Sequence, residues 1–143
     1  PPSLAFTEFM AFLPAVCEEA LFRGGLQNFL NRGTNMPWMS IIVVSILFSL
    51  AHFSFYGFLS RFFLGIVLGA VFHYSGKLWL SILAHFINNA LAITVLYISI
   101  KNGTSLEEAM AQDASSIWGI LAVPVVIGLF AFFKKASLQR RVI

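Results

Sequence analysis

Charge is what this sequence has least of. Asp, Glu, Lys and Arg make up 10% of its 143 residues, where a soluble domain carries about 25%. With 59% hydrophobic residues and a mean hydropathy of +0.86, the chain is too apolar for a soluble domain. A polytopic membrane protein is the class that remains. Cysteine is nearly absent as well: Cys17 alone excludes an internal disulfide and leaves the compartment unspecified. No low-complexity tract and no internal repeat is present. Basic residues are missing before Arg23, and most of the net charge of +3 gathers in Lys134, Lys135, Arg140 and Arg141. A basic tail behind an apolar segment reads as a cytoplasmic flank, with no nucleic-acid surface implied. An initiator Met is lacking too. The sequence opens Pro1-Pro2, so we expect a fragment or a processed form, with further helices upstream.

What is there is a series of five apolar segments, about Leu4–Leu30, Pro37–Phe53, Phe58–Tyr74, Leu78–Ile100 and Ser116–Phe133. The expected fold is all-α: a polytopic bundle of about five transmembrane helices in a single domain over residues 1–143. Pro14 is placed to kink the first helix, and Asn31–Asn35 reads as the turn that follows it. Pro37 suits an early helical position, Ser54–Gly57 breaks the second helix, and Ser75-Gly76 ends the third. Pro124 lies inside the fifth. Gly65-x-x-x-Gly69 with Ala70 predicts a close helix–helix contact. If all five helices span, Arg32, Lys77 and the tail share one side, and Arg61 and Lys101 the other. The excess of basic residues then puts the C terminus in the cytoplasm.

Into the first segment the sequence inserts Glu18-Glu19-Ala20-Leu21-Phe22-Arg23. A charge at membrane depth costs ~2.5–3.5 kcal/mol on insertion scales and normally faces a polar cavity or a partner. Glu19 and Arg23 stand at i,i+4 with the acid first, the favourable order for an ion pair. Glu18 has Leu21 and Phe22 at i+3 and i+4, so it has no cation at either position and is fit for proton transfer. The other conspicuous polar residues are His52, His85, Asn88 and Asn89. At 1.5 Å per residue, Glu18 lies roughly 18 Å from its helix end, His52 roughly 22 Å into the second helix, and His85 and Asn89 roughly 10 and 16 Å into the fourth. A carboxylate, two imidazoles and an amide then fall within one layer, with His85 and Asn89 on one face. Asn88 faces elsewhere, His73 lies near a helix end, and Cys17 reads as an inert thiol.

Such a set can hydrolyse. A carboxylate takes a proton from water, with a histidine to hold that water, while a second histidine and an amide donate to an oxyanion. Structural alternatives stand beside each role: an ion pair for Glu18, a ring bonded to a backbone carbonyl for His52, an interhelical hydrogen bond for Asn89.

Glu18-Glu19-x-x-x-Arg23, Phe48-x-x-x-His52 and His85-x-x-x-Asn89, in that order and in apolar helices, resemble the three motifs of the CPBP family, the CAAX protease and bacteriocin-processing (Abi) intramembrane proteins. The stretch from Gly65 through Tyr74–Trp79 to His85 resembles bacterial members, and the likeness covers about residues 13–92. Family members carry further helices before the first motif. The resemblance implies a glutamate-type intramembrane endopeptidase without a cofactor. Glu18 and His52 would activate water, His85 and Asn89 would stabilise the oxyanion, and Glu19 with Arg23 would support the site. It implies membrane lipid and a membrane-associated peptide or protein as partners, and a bacterial cytoplasmic membrane as location. Three other readings compete: a non-enzymatic bacteriocin-immunity or scaffold protein, a transporter or channel fragment, and a zinc metalloprotease with Glu18, His52 and His85 as ligands. The His-Glu-x-x-His signature that would favour zinc is absent.

Overall fold

The computed structural model describes residues 4–53, 55, 57–105 and 107–108. Four of the five apolar segments lie among them, all four are helical, and the described residues contain no strand. The fifth, Ser116–Phe133 with Pro124, and the basic tail lie outside the described residues.

The first segment is helical from Leu4 to Thr34 in three consecutive pieces: α1 (Leu4–Glu19), a π-helix (Ala20–Gln27) and α2 (Asn28–Thr34). Two expectations change here. Residues 31–34 continue the helix, and the chain turns at Asn35, which is left-handed with φ 56° and donates its N–H to the Asn31 carbonyl at 2.9 Å. Asn tolerates that conformation because its short side chain relieves the usual steric penalty. Pro14 leaves α1 unbroken. The departure from α geometry comes instead at Ala20, in a stretch holding Gly24-Gly25, where two glycines weaken the preference for regular α-helix.

α3 (Pro37–Leu50) begins on its proline and stops three residues short of the expected Phe53. Ala51–Phe53 form a turn, with Phe53 at φ 49°. His52 therefore sits just beyond a helix, not inside one. α4 (Phe58–Ser75) ends on Gly76, at φ 66°, whose N–H meets the Phe72 carbonyl at 2.9 Å. This is the left-handed glycine stop that Ser75-Gly76 predicts. α5 (Leu78–Lys101) follows at once.

α4 and α5, of 18 and 24 residues, are long and apolar enough to cross a membrane. Of the α5 span, 11% is buried, and Leu83, Ile87, Leu91 and Val95 are exposed along it. A contiguous apolar face of this kind suits lipid better than water.

α3 packs along α4, α1 along α5, and the π-helix touches α3, α4 and α5. Phe22, Val44 and Phe48 form the core, with Leu26, Leu30 and Leu64 against them. The Phe22 and Phe48 rings meet edge to face at 5.3 Å. The paired glycines set the closest approach. A Cβ on Gly65 would come within 2.9 Å of the Ser45 Cβ, and one on Gly69 within 2.9 Å of Gln27 Oε1 and 3.0 Å of Ile41. With no side chain in the way, α4 offers its carbonyls. Arg23 Nη2 donates to the Gly65 carbonyl at 3.0 Å and Gln27 Nε2 to the Gly69 carbonyl at 2.9 Å. Donors four residues apart meet acceptors four residues apart, which fixes the register of the π-helix on α4. Interhelical hydrogen bonds of this sort contribute ~0.6 kcal/mol on average and up to about 2.

Gly65→Ala should therefore lower stability by about 1–3 kcal/mol through overpacking. Gly33→Ala, where a Cβ would meet nothing within 4 Å, should be neutral or stabilising by up to about 1 kcal/mol. Melting curves in detergent check both, and a Gly65→Ala midpoint at or above wild type would contradict the close-packing account.

Candidate active site

Three elements bring the charged and polar side chains together. Glu18 and Glu19 close α1, His52 lies in the turn after α3, and Ser81, His85 and Asn89 follow one another at i,i+4 along α5. The two acids diverge because adjacent residues on a helix point about 100° apart.

Glu19 is fully buried, as is Arg23. Its Oε1 accepts from Arg23 Nη1 at 2.7 Å and from His85 Nδ1 at 3.0 Å, and its Oε2 accepts from the Ser81 hydroxyl. The ion pair read from the i,i+4 spacing is thus present, but it is half of a larger arrangement. A buried carboxylate needs such partners, since its desolvation is costly unless charge and hydrogen bonds compensate it. Arg23 in turn lies over the Phe48 ring, 4.7 Å from the centroid, a cation–π contact.

Glu18 has a different setting. Its side chain is 28% exposed, and its Oε2 lies 3.7 Å from His52 Nε2 and 3.8 Å from His85 Nε2. That oxygen is buried and has no hydrogen-bond partner among the described residues. The two rings are aimed by their other nitrogens. His52 Nδ1 meets the Phe48 carbonyl at 2.8 Å and His85 Nδ1 meets Glu19 Oε1 at 3.0 Å. A carbonyl and a carboxylate only accept, so each Nδ1 carries a proton and each Nε2 is the nitrogen turned toward Glu18. Phe48 seats both rings, with centroids 5.0 Å from His52 and 5.6 Å from His85.

The backbone around His52 is satisfied from within. The His52 N–H meets the Ser49 carbonyl at 3.3 Å, the Phe53 N–H the Leu50 carbonyl at 3.0 Å, and the Ser49 hydroxyl donates to the Phe58 carbonyl at 2.6 Å. Backbone groups that leave a helix need such partners as much as those inside one.

Glu18, His52 and His85 are thus brought together, with Glu19 and Arg23 behind them. Asn89 lies on the same α1–α5 interface, where its amide donates to the Ala11 carbonyl at 3.4 Å; this is the interhelical bond that stood as the alternative for it. Asn88 is exposed, and His73 is exposed in the last turn of α4. Among the described residues, no group of three His, Cys, Asp or Glu side chains is disposed to hold a metal ion.

Sequence reasoning passed over Ser81, Gln27 and the role of Phe48 as a platform. Ser81 carried a usable signal, since it precedes His85 by the same four residues that separate His85 from Asn89. Gln27 stands at i+4 from Arg23 and so shares its face.

Searches among curated proteins and among solved structures return no match. Residues 1–91 match the family described as type II CAAX prenyl endopeptidase Rce1-like, a stretch that holds every residue of the site from Glu18 to Asn89. The chain belongs to this type II CAAX prenyl endopeptidase Rce1-like family of membrane peptidases.

Proposed function

We propose that this chain is a glutamate-type intramembrane endopeptidase that hydrolyses a peptide bond of a membrane-associated peptide or protein. The observation that carries the reading is the unpartnered Oε2 of Glu18, set 3.7 and 3.8 Å from two Nε2 atoms whose rings are anchored at Nδ1. Glu18, with His52 beside it, takes the proton of a water that attacks the scissile carbonyl carbon. The resulting oxyanion is met by the Asn89 amide and by His85. For His85 Nε2 to donate while Nδ1 donates to Glu19, the ring must hold both protons. Collapse breaks the C–N bond, and the proton on Glu18 passes to the leaving amine. Glu19 and Arg23 hold the scaffold. The family's description names a prenylated CAAX substrate. We adopt the wider class, since none of these residues selects a lipid. A bacterial cytoplasmic membrane, with the C terminus inside, and bacteriocin-linked processing belong to the same proposal.

Glu18→Gln should lower turnover by about 10²–10⁴-fold or more while leaving the melting midpoint near wild type. Glu19→Gln should cost about 3–5 kcal/mol of stability by stranding Arg23, and Glu19→Gln with Arg23→Met should recover part of it. Cleavage of a peptide library read by mass spectrometry, with melting curves on each variant, checks these outcomes. Robust cleavage by Glu18→Gln would remove Glu18 from the mechanism.

The reading also expects activity to survive a chelator. Loss of cleavage on chelation, restored by added zinc, with stoichiometric zinc by elemental analysis, would favour the metalloprotease instead.

A further inference from the structure

We propose that Ser81 is a positioning residue for His85, acting through Glu19. Its hydroxyl fixes the carboxylate whose other oxygen holds His85 Nδ1. Only the kinetic part of this inference rests on the endopeptidase reading.

Ser81 is fully buried on α5, one turn before His85. The donors on Glu19 are unevenly divided. Oε1 takes both Arg23 Nη1 and His85 Nδ1, whereas Oε2 takes the Ser81 hydroxyl alone among the described contacts. The terminal torsion of a glutamate is soft and roughly two-fold. Two donors on one oxygen leave the carboxylate plane free to swing about that oxygen, and a donor on the second oxygen stops the swing. Arg23 gives no such restraint, because its Nη2 is committed to the Gly65 carbonyl at 3.0 Å.

The Ser81 hydroxyl has one proton and two acceptors within reach, Glu19 Oε2 and the Leu68 carbonyl at 3.2 Å. The charged acceptor makes the stronger bond, so the Leu68 carbonyl is where the hydroxyl turns when the carboxylate is lost. Removing the hydroxyl leaves Oε2 buried without a donor. The carboxylate then rotates to share Arg23 and His85 between both oxygens. His85 Nδ1 loses its single acceptor position, and the aim of Nε2 at Glu18 relaxes with it. Loss of packing is a poor rival explanation, since Ser→Ala removes one oxygen and changes little volume.

The test uses the full chain in detergent, labelled with ¹⁵N in its three histidines, with His85 assigned by its disappearance in His85→Ala. Wild type should show His85 protonated at Nδ1. In Ser81→Ala the Nδ1–H signature should broaden or weaken through exchange as its acceptor loosens, with the melting midpoint little changed; Ser81→Thr, which keeps the hydroxyl, should retain the wild-type pattern. On a cleaved peptide, Ser81→Ala should lower kcat by about 10–100-fold, as loss of a ligand-orienting contact does, with KM unchanged. A wild-type His85 spectrum in Ser81→Ala, or a wild-type protein lacking the Nδ1 proton, overturns the proposal. Should the wild-type protein cleave no peptide, the endopeptidase reading fails, and the ¹⁵N spectra still decide the role of Ser81.

Discussion

A buried carboxylate has to have its charge answered, and most of this bundle is arranged around answering one. Glu19 is sealed from solvent, and three side chains from two elements converge on it: Arg23 from the π-helix, Ser81 and His85 from α5. Arg23 is tied in turn to α4 through the Gly65 carbonyl. A single negative charge thus joins the first helical segment to α4 and α5. Its neighbour Glu18 differs because of what surrounds it. No cation makes an ion pair with it along its helix as Arg23 does with Glu19, and the groups opposite are two imidazole nitrogens whose partner nitrogens are occupied elsewhere. One acid is spent on structure, and the other is left with unused acceptor capacity.

Phe48 is the apolar counterpart of Glu19. Its ring touches His52, His85 and the Arg23 guanidinium while packing on Phe22, and its carbonyl anchors His52 Nδ1. A buried aromatic ring here keeps water from the charged groups, and the low local dielectric strengthens each electrostatic contact they make. Its backbone and its side chain thus serve the same site from opposite ends. The buried serines of α3 play a quieter part. Ser45 turns its hydroxyl back to the Ile41 carbonyl at 2.7 Å, so that a small side chain without a free donor faces Gly65.

Much of this was legible in the sequence, because membrane helices write themselves in long apolar runs. Four segments were located to within a few residues, the stop at Gly76 was read from Ser75-Gly76, and Gly65-x-x-x-Gly69 was recognised as a packing surface. The Glu19–Arg23 pair followed from spacing alone. The errors have separate physical sources. Asn31–Thr34 look like turn residues by propensity, yet they continue a helix already under way, since propagation needs less than nucleation. The end of α3 at Leu50 could not be read from composition, because Ala51–Phe53 contains no Gly or Pro to mark a stop. The contacts of Ser81 and Gln27 depend on which elements adjoin, and periodicity records faces without naming neighbours. The layer argument still brought His52 to Glu18, because depth along the bundle is insensitive to whether the last turn is helical.

The π-helix has a consequence for how the sequence tolerates change. A π turn holds one more residue than an α turn, so a single deletion between Ala20 and Gln27 would return the segment to α geometry. The residues after it would keep their faces, because the wider turns are what accommodate the extra residue. The α-helix before it has no such reserve: a residue lost between Ala11 and Glu18 would turn the start of α1 by about 100° relative to the two acids, carrying the Ala11 carbonyl away from Asn89. Length is therefore constrained more tightly in α1 than in the π stretch that follows it.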